Sequence, residues 1–147
     1  MSGEACPLPS QGPGENDSAM QRLLAARRIA VVGISDDPSR ASHYVSEYLQ
    51  TQGYEILGVN PKHAQVLGQP CYPALAQVPQ PVDVVLVFRR PEHVPPIAQE
   101  AVAIGAKGIW LQSGIRSPAA QRIAQDAAID FVQDHCMMVE HRRRARS

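Results

Sequence analysis

Short unbroken apolar runs alternate along this chain with stretches in which apolar residues recur every three or four positions. IAVV, residues 29–32, and VDVVLVF, residues 82–88, are dense in branched side chains. Such continuity predicts parallel strands covered on both faces, not strands with one wet face. By contrast, Val94, Ile97, Ala98, Ala101, Val102 and Gly105 recur at spacings of three and four, with Glu92, Gln99 and Glu100 mostly elsewhere. That period predicts a helix with one docking face. Pro91 can open it, because its fixed φ suits a first turn, and Gly105 can close it.

The same reading predicts strand 29–33, helix 41–51, strand 55–59, a turn or short helix near 72–77, and strand 82–88. It continues with helix 91–104, strand 108–111, helix 117–127 and a last strand near 130–133. Repeated strand–helix alternation specifies a mostly parallel, doubly wound, Rossmann-like three-layer α/β sheet. Residues 1–18 mix Gly, Pro and small polar residues without period and are expected to be a flexible leader. Helical order is expected to begin near Ser18, with Met20, Leu23 and Leu24 able to share one face. The domain is expected to span residues 19–141, followed by a basic tail over 142–147.

Composition narrows the function classes. The 147 residues suit one ordinary domain, and 14 basic side chains balance 14 acidic ones, so net charge gives no argument for nucleic acid or an anionic membrane. The apolar runs fall far short of the roughly 20 residues that span a bilayer, and no basic-then-apolar signal pattern opens the chain; a cytoplasmic protein is expected. Cys6, Cys71 and Cys136 form no CxxC pair, which fits thiols better than a disulfide framework or a thiolate metal site. Arg142, Arg143, Arg144 and Arg146 lack an aromatic platform beside them, so solubility or a partner contact is the expected use.

Candidate chemistry gathers where the strands end. Gly33 follows the first strand, Ser35 adds a hydroxyl, and a helix opening at residues 39–42 would aim free amides at the turn, an arrangement suited to a phosphate. GISDDPSR holds one of the three glycines of a dinucleotide fingerprint and is no P-loop, so Gly33 serving the turn alone stays open. Lys62 stands where a nicotinamide enzyme usually carries an acidic residue for the ribose; it is either a phosphate partner or a solvated loop lysine. Arg89 and Arg90 offer phosphate-binding forks, and Phe88 can stack on a base or complete the core. Gln112, Ser113 and Gly114 end the fourth strand beside the same crevice. Asp36 and Asp37 could share a proton or hold a divalent ion, but beside the phosphate turn their charge would oppose a bound phosphate; a loop-capping role is more economical, Asp37 before Pro38 fits it, and no metal is required. His43, His63, His93, His135 and His141 match no catalytic or metal pattern. Cys136 beside His135 invites thiolate chemistry, but adjacency in sequence sets no geometry.

IAVVGISDDPSRASHYV, GYEILGVNPKHAQVLGQPCYPAL, PVDVVLVFRRPEHV, AIGAKGIWLQSGI and DHCMMVEHRR together resemble, over residues 22–144, the small single-domain coenzyme A-binding proteins, a family related to the CoA-binding domain of the succinyl-CoA synthetase alpha subunit. The resemblance implies CoA or acyl-CoA as ligand. It sets Gly33 and Ser35 in the phosphate loop, Lys62 after the Asn-Pro segment that faces the nucleotide, and Phe88 and Arg89 near the adenine-diphosphate portion. Gln112 and Gly114 then fall toward the pantetheine side, and Arg40 and Arg90 join the binding set. The larger synthetase also needs a second domain with a phosphorylated histidine, for which this chain has no room. The resemblance therefore implies a binding module with no catalytic residue. The alternatives are a partner-dependent acyl-CoA ligase or thiol-transfer component, and a structural homo-oligomer with an empty crevice.

Overall fold

A computed structural model describes residues 13–145; residues 1–12 of the leader expected over 1–18 lie outside them. Helix α1 (Pro13–Leu24) precedes β1 (Arg28–Val32), α2 (Ala41–Thr51) and β2 (Glu55–Val59). A hairpin of β3 (Gln65–Val66) and β4 (Gln69–Tyr72) follows, then a 3-10 turn (Leu75–Gln77), β5 (Val84–Val87) and a second 3-10 turn (Pro91–His93). The described residues continue with α3 (Val94–Ala103), β6 (Gly108–Leu111), α4 (Pro118–Asp126), β7 (Asp130–Val132) and α5 (Met137–Ala145).

The seven strands lie in the order β3-β4-β2-β1-β5-β6-β7, parallel throughout except for the β3–β4 pair. The expected doubly wound sheet is therefore present. Its central strands are buried on both faces, as their unbroken apolar character predicts. Ala30, Val32, Val85, Val87, Ile109 and Leu111 pack with α3 and α4 on one side. Ile29, Val31, Val84, Leu86 and Trp110 pack with α1, α2 and α5 on the other.

Three departures from the sequence reading matter. Helix α1 starts at Pro13 rather than near Ser18, with proline at the position where a missing N–H does no harm. The β3–β4 hairpin extends the sheet at one edge; strands of two and four residues are too short to announce themselves by period. Residues 137–145, given no element up to 141 and expected as a basic tail from 142, form α5, with Arg142, Arg143 and Arg144 in its last turn, where positive charge favours the helix dipole. Helix α1 reaches α5 through Asp17 and Arg144, and Arg144 also pairs with the buried Glu140. No helix among the described residues is long and apolar enough to cross a membrane.

At the amino edge, Asp83 ties three strands together. Its carboxylate accepts N–H bonds from Arg27 and Arg28 at 3.1 and 3.0 Å, and its carbonyl accepts from the Lys107 and Gly108 amides. Burial opposes its ionisation, but the amides of Arg28 and Arg27 and the Lys107 ammonium at 3.4 Å hold the carboxyl below its ordinary value. Nearby, Leu23 of α1 lies where a Cβ on Gly108 would come within 2.5 Å, so the helix docks directly on the β6 backbone. Asp83→Asn keeps one acceptor and loses the charge; we expect a loss of about 1–2 kcal/mol in urea unfolding near neutral pH. Because the folded-state pKa is depressed, that stabilisation is complete above the unfolded value of about 3.9 and disappears as pH falls through the folded one. Wild-type and variant stabilities should therefore converge in acid.

Candidate functional site

The winding of the sheet creates a crevice. Helix α2 covers one face and α3 the other, so the connections leave β1 and β5 in opposite directions, and the carboxyl ends of these adjacent strands open into the gap expected at such a switch point. There the Phe88 amide donates to the Val32 carbonyl at 2.9 Å and the Gly33 amide to the Val59 carbonyl at 2.9 Å. Gly33 has φ +89°, and a Cβ on it would sit 2.7 Å from the Phe88 carbonyl oxygen. Glycine is thus required both by its backbone region and by the closeness of the next strand.

Two adjoining cavities occupy this edge, and both are bounded by Ala41 and Phe88. The first, about 410 Å³, is lined by Gly33, Ile34, Ser35, Arg40, Ala41, Ser42, Asn60, Lys62, His63 and Phe88. The second, about 590 Å³, is lined by Ala41, Tyr44, Val45, Phe88, Arg89, Arg90, Pro91, Gln112, Ser113, Gly114, Ile115, Cys136, Met138 and Val139. All nine residues singled out in the sequence, Gly33, Ser35, Arg40, Lys62, Phe88, Arg89, Arg90, Gln112 and Gly114, line one or both.

The loop from β1 to α2 holds itself in shape. Ser35 Oγ accepts the Asp37 amide at 3.0 Å, and Asp37 Oδ1 accepts the Ser39 amide at 3.0 Å and its hydroxyl at 2.8 Å. The Ser39 amide, then the Ser39 hydroxyl, pull the Asp37 carboxyl below its usual range. Asp37 is the loop cap its sequence suggests, and Asp36 lies 3.7 Å from His63, on the other wall of the crevice. At the start of α2, Arg40 occupies the N-cap with extended backbone and supplies no side-chain cap, leaving first-turn amides beside the polar cavity. Among the described residues, the ion pairs engage Arg22, Arg28, His63, Lys107, Arg116, His135, Arg143 and Arg144. Arg40, Lys62, Arg89 and Arg90, around the crevice, enter none of them. The Asn60 side chain donates to the Ile34 carbonyl and accepts the Lys62 amide, fixing the loop that carries Lys62.

The far wall is tied down differently. Gly114, at φ +85°, gives its amide to Asp134 at 2.7 Å, so this N–H is used within the fold. That bond is the main cause of the depressed Asp134 carboxyl pKa. Gln112 is buried, and its Oε1 accepts the Met137 amide at the start of α5. Trp110 Nε1 donates to the His135 carbonyl, while the His135 ring lies 3.6 Å from Glu140. His141 is bonded to the Tyr48 hydroxyl at 2.7 Å. His43 is buried in α2 with Nδ1 unpartnered. Among the described residues, no group of three or more His, Cys, Asp or Glu side chains is placed to hold a metal ion.

Sequence reasoning missed the apolar walls: Tyr44 and Val45 on α2, Ile115, and Met138 and Val139 on α5. Tyr44 lies three residues beyond the helix start and faces the crevice, and the two α5 residues could not be placed without that helix. Gly33→Ala is expected to destabilise the fold by roughly 1–3 kcal/mol from its left-handed backbone alone, with the contact to Phe88 adding to this. Thermal unfolding of that variant against an exposed control such as Gly68→Ala, where φ is +72° but nothing lies within 4 Å, isolates the contact.

The profile of a family described as a CoA binding domain matches residues 27–142. An uncharacterized Bacillus subtilis protein, YneT, is 39% identical over 119 residues, covering 81% of this chain and 88% of the relative. A solved structure from Thermus thermophilus is 40% identical with a TM-score of 0.82, covering 87% of this chain and 98% of that one. The ADP-forming acetate–CoA ligase I of Archaeoglobus fulgidus is 26% identical over 130 residues, covering 80% of this chain but only 19% of the ligase. The kinship is thus with ADP-forming acyl-CoA ligases as a class, broader than the succinyl-CoA synthetase likeness read from the sequence.

Proposed function

The chain belongs to the CoA-binding domain family, and from that premise we propose that it is a binding module for CoA or an acyl-CoA with no reaction of its own. CoA presents a diphosphate, a ribose phosphate, an adenine and a long pantetheine arm. The residues of the crevice fit such a group: an uncapped helix start with Gly33, Ser35, Arg40 and Lys62 suits the anionic end. Phe88 borders both cavities, Arg89 and Arg90 line the larger one with the Arg89 side chain beside Gly33, and Gln112 and Gly114 border that same cavity, assigned to the arm. The observation that carries this reading is that a polar cavity lined by Arg40 and Lys62 and a larger, mostly apolar one share Ala41 and Phe88 as lining. Binding without turnover is supported by the alignment to a fifth of a ligase.

Cys71 and Cys136 are free thiols, which suits a reducing compartment and supports our assignment to the cytoplasm. The same partial match to a ligase favours one second reading, a component that works only with a partner supplying the rest of the ligase chemistry. A relation to the succinyl-CoA synthetase alpha subunit in particular belongs to that reading.

Calorimetric titration of the full chain tests the proposal. CoA should saturate one site per chain and NAD should not, since Lys62 takes the place of a ribose-binding carboxylate. Lys62→Glu should weaken CoA at least about tenfold through loss of a charge-assisted phosphate contact, without lowering the melting temperature. Absence of saturable binding by any CoA species would overturn it.

A further inference from the structure

We propose that the preferred ligand is a thioester carrying an apolar acyl chain rather than free CoA, and that this chain lies in the cavity between α2 and α5. The inference rests on the CoA reading and extends it to the group beyond the sulfur. Among the described residues, the large hydrophobic side chains left exposed are Tyr44, at 44%, and Val139, at 43%. Both line this same cavity, one from each helix. Elsewhere the large apolar side chains are buried or partly buried, so the exposure of these two at one place marks a surface that a ligand covers.

The cavity adjoins the polar cleft, with Ala41 and Phe88 lining both. A ligand anchored by phosphates at the α2 start therefore has its opposite end directed here. A pantetheine arm has two amides, and Gln112 and Ser113 border the cavity on its strand side. A free thiol at its tip would leave Tyr44 and Val139 in water, whereas an alkyl chain removes both from it. Met138 adds an unbranched wall that adapts to chains of different length. Each methylene buried between these side chains should tighten binding about fourfold.

Calorimetric titration of the full chain with CoA, acetyl-CoA, hexanoyl-CoA and octanoyl-CoA reads this directly, with the acyl-CoAs kept below their micelle concentrations. Affinity should rise along the series, octanoyl-CoA binding at least about tenfold tighter than acetyl-CoA, as two buried methylenes would suffice to give. Val139→Asp, at an exposed position that tolerates charge, should reduce the octanoyl-CoA to CoA affinity ratio at least about fivefold. Equal affinity for CoA and every acyl-CoA would overturn the inference while leaving CoA binding intact. No binding by any member would overturn both readings. A dimer seen by sedimentation that Val139→Asp dissolves, with CoA and octanoyl-CoA binding alike, would assign the apolar surface to a second copy of the chain and also overturn the inference.

Discussion

The crevice depends on the contact between the backbone after β1 and the carbonyl end of β5. Gly33 approaches the Phe88 carbonyl so closely that even a methyl group would collide with it, and hydrogen bonds from Gly33 to Val59 and from Phe88 to Val32 lock three strand ends together. Because these ends cannot separate, the loop that follows must leave the sheet at one place and deliver α2 with its first turn over the gap. The polar and apolar cavities then meet at Phe88 and Ala41 because β5 and α2 meet there. Side-chain chemistry enters afterwards, on a frame already set by the backbone.

Charge is distributed over that frame so that cations remain available. The phosphate loop contains two aspartates, which would repel an anion placed between them. Asp37 is engaged by the Ser39 amide and hydroxyl, and Asp36 stands beside His63. Arg40 and Lys62 enter no ion pair among the described residues, although the charge of Arg40 also helps to lower the Asp37 pKa. On the opposite wall, Asp134 takes the Gly114 amide and the Arg116 guanidinium, which secures the β6 loop without adding free negative charge at the cavity. The same bonds that shape the loops thus hold their carboxylates in place.

Much of this was legible in the sequence, and the limits follow from length and context. The β1–α2–β2 unit and β5–α3–β6 declare themselves through continuous apolar strands and a helical apolar period, since both faces of the sheet must be covered. Strand ends then identify the crevice, because a parallel sheet brings its carboxyl ends to one edge. Helix α5 was hidden because MMVEHRRRA is mostly polar. Its helical state rests on tertiary contacts: Met137 is fully buried, Glu140 meets Arg143 and Arg144, and His141 meets Tyr48. The spacing of Met137, Glu140 and His141 by three and four was the signal that could have found it. Missing α5 meant missing Met138 and Val139, and so the apolar half of the site.

The central claim is that one extended ligand occupies both cavities. An amide NMR titration of the isotope-labelled chain with CoA tests it most directly. The account predicts shifts at Gly33, Ser35, Ala41 and Ser42 together with shifts at Gln112, Ile115 and Met138, all following a single binding curve. Shifts confined to residues away from these two groups, or two groups titrating with separate curves, would contradict it.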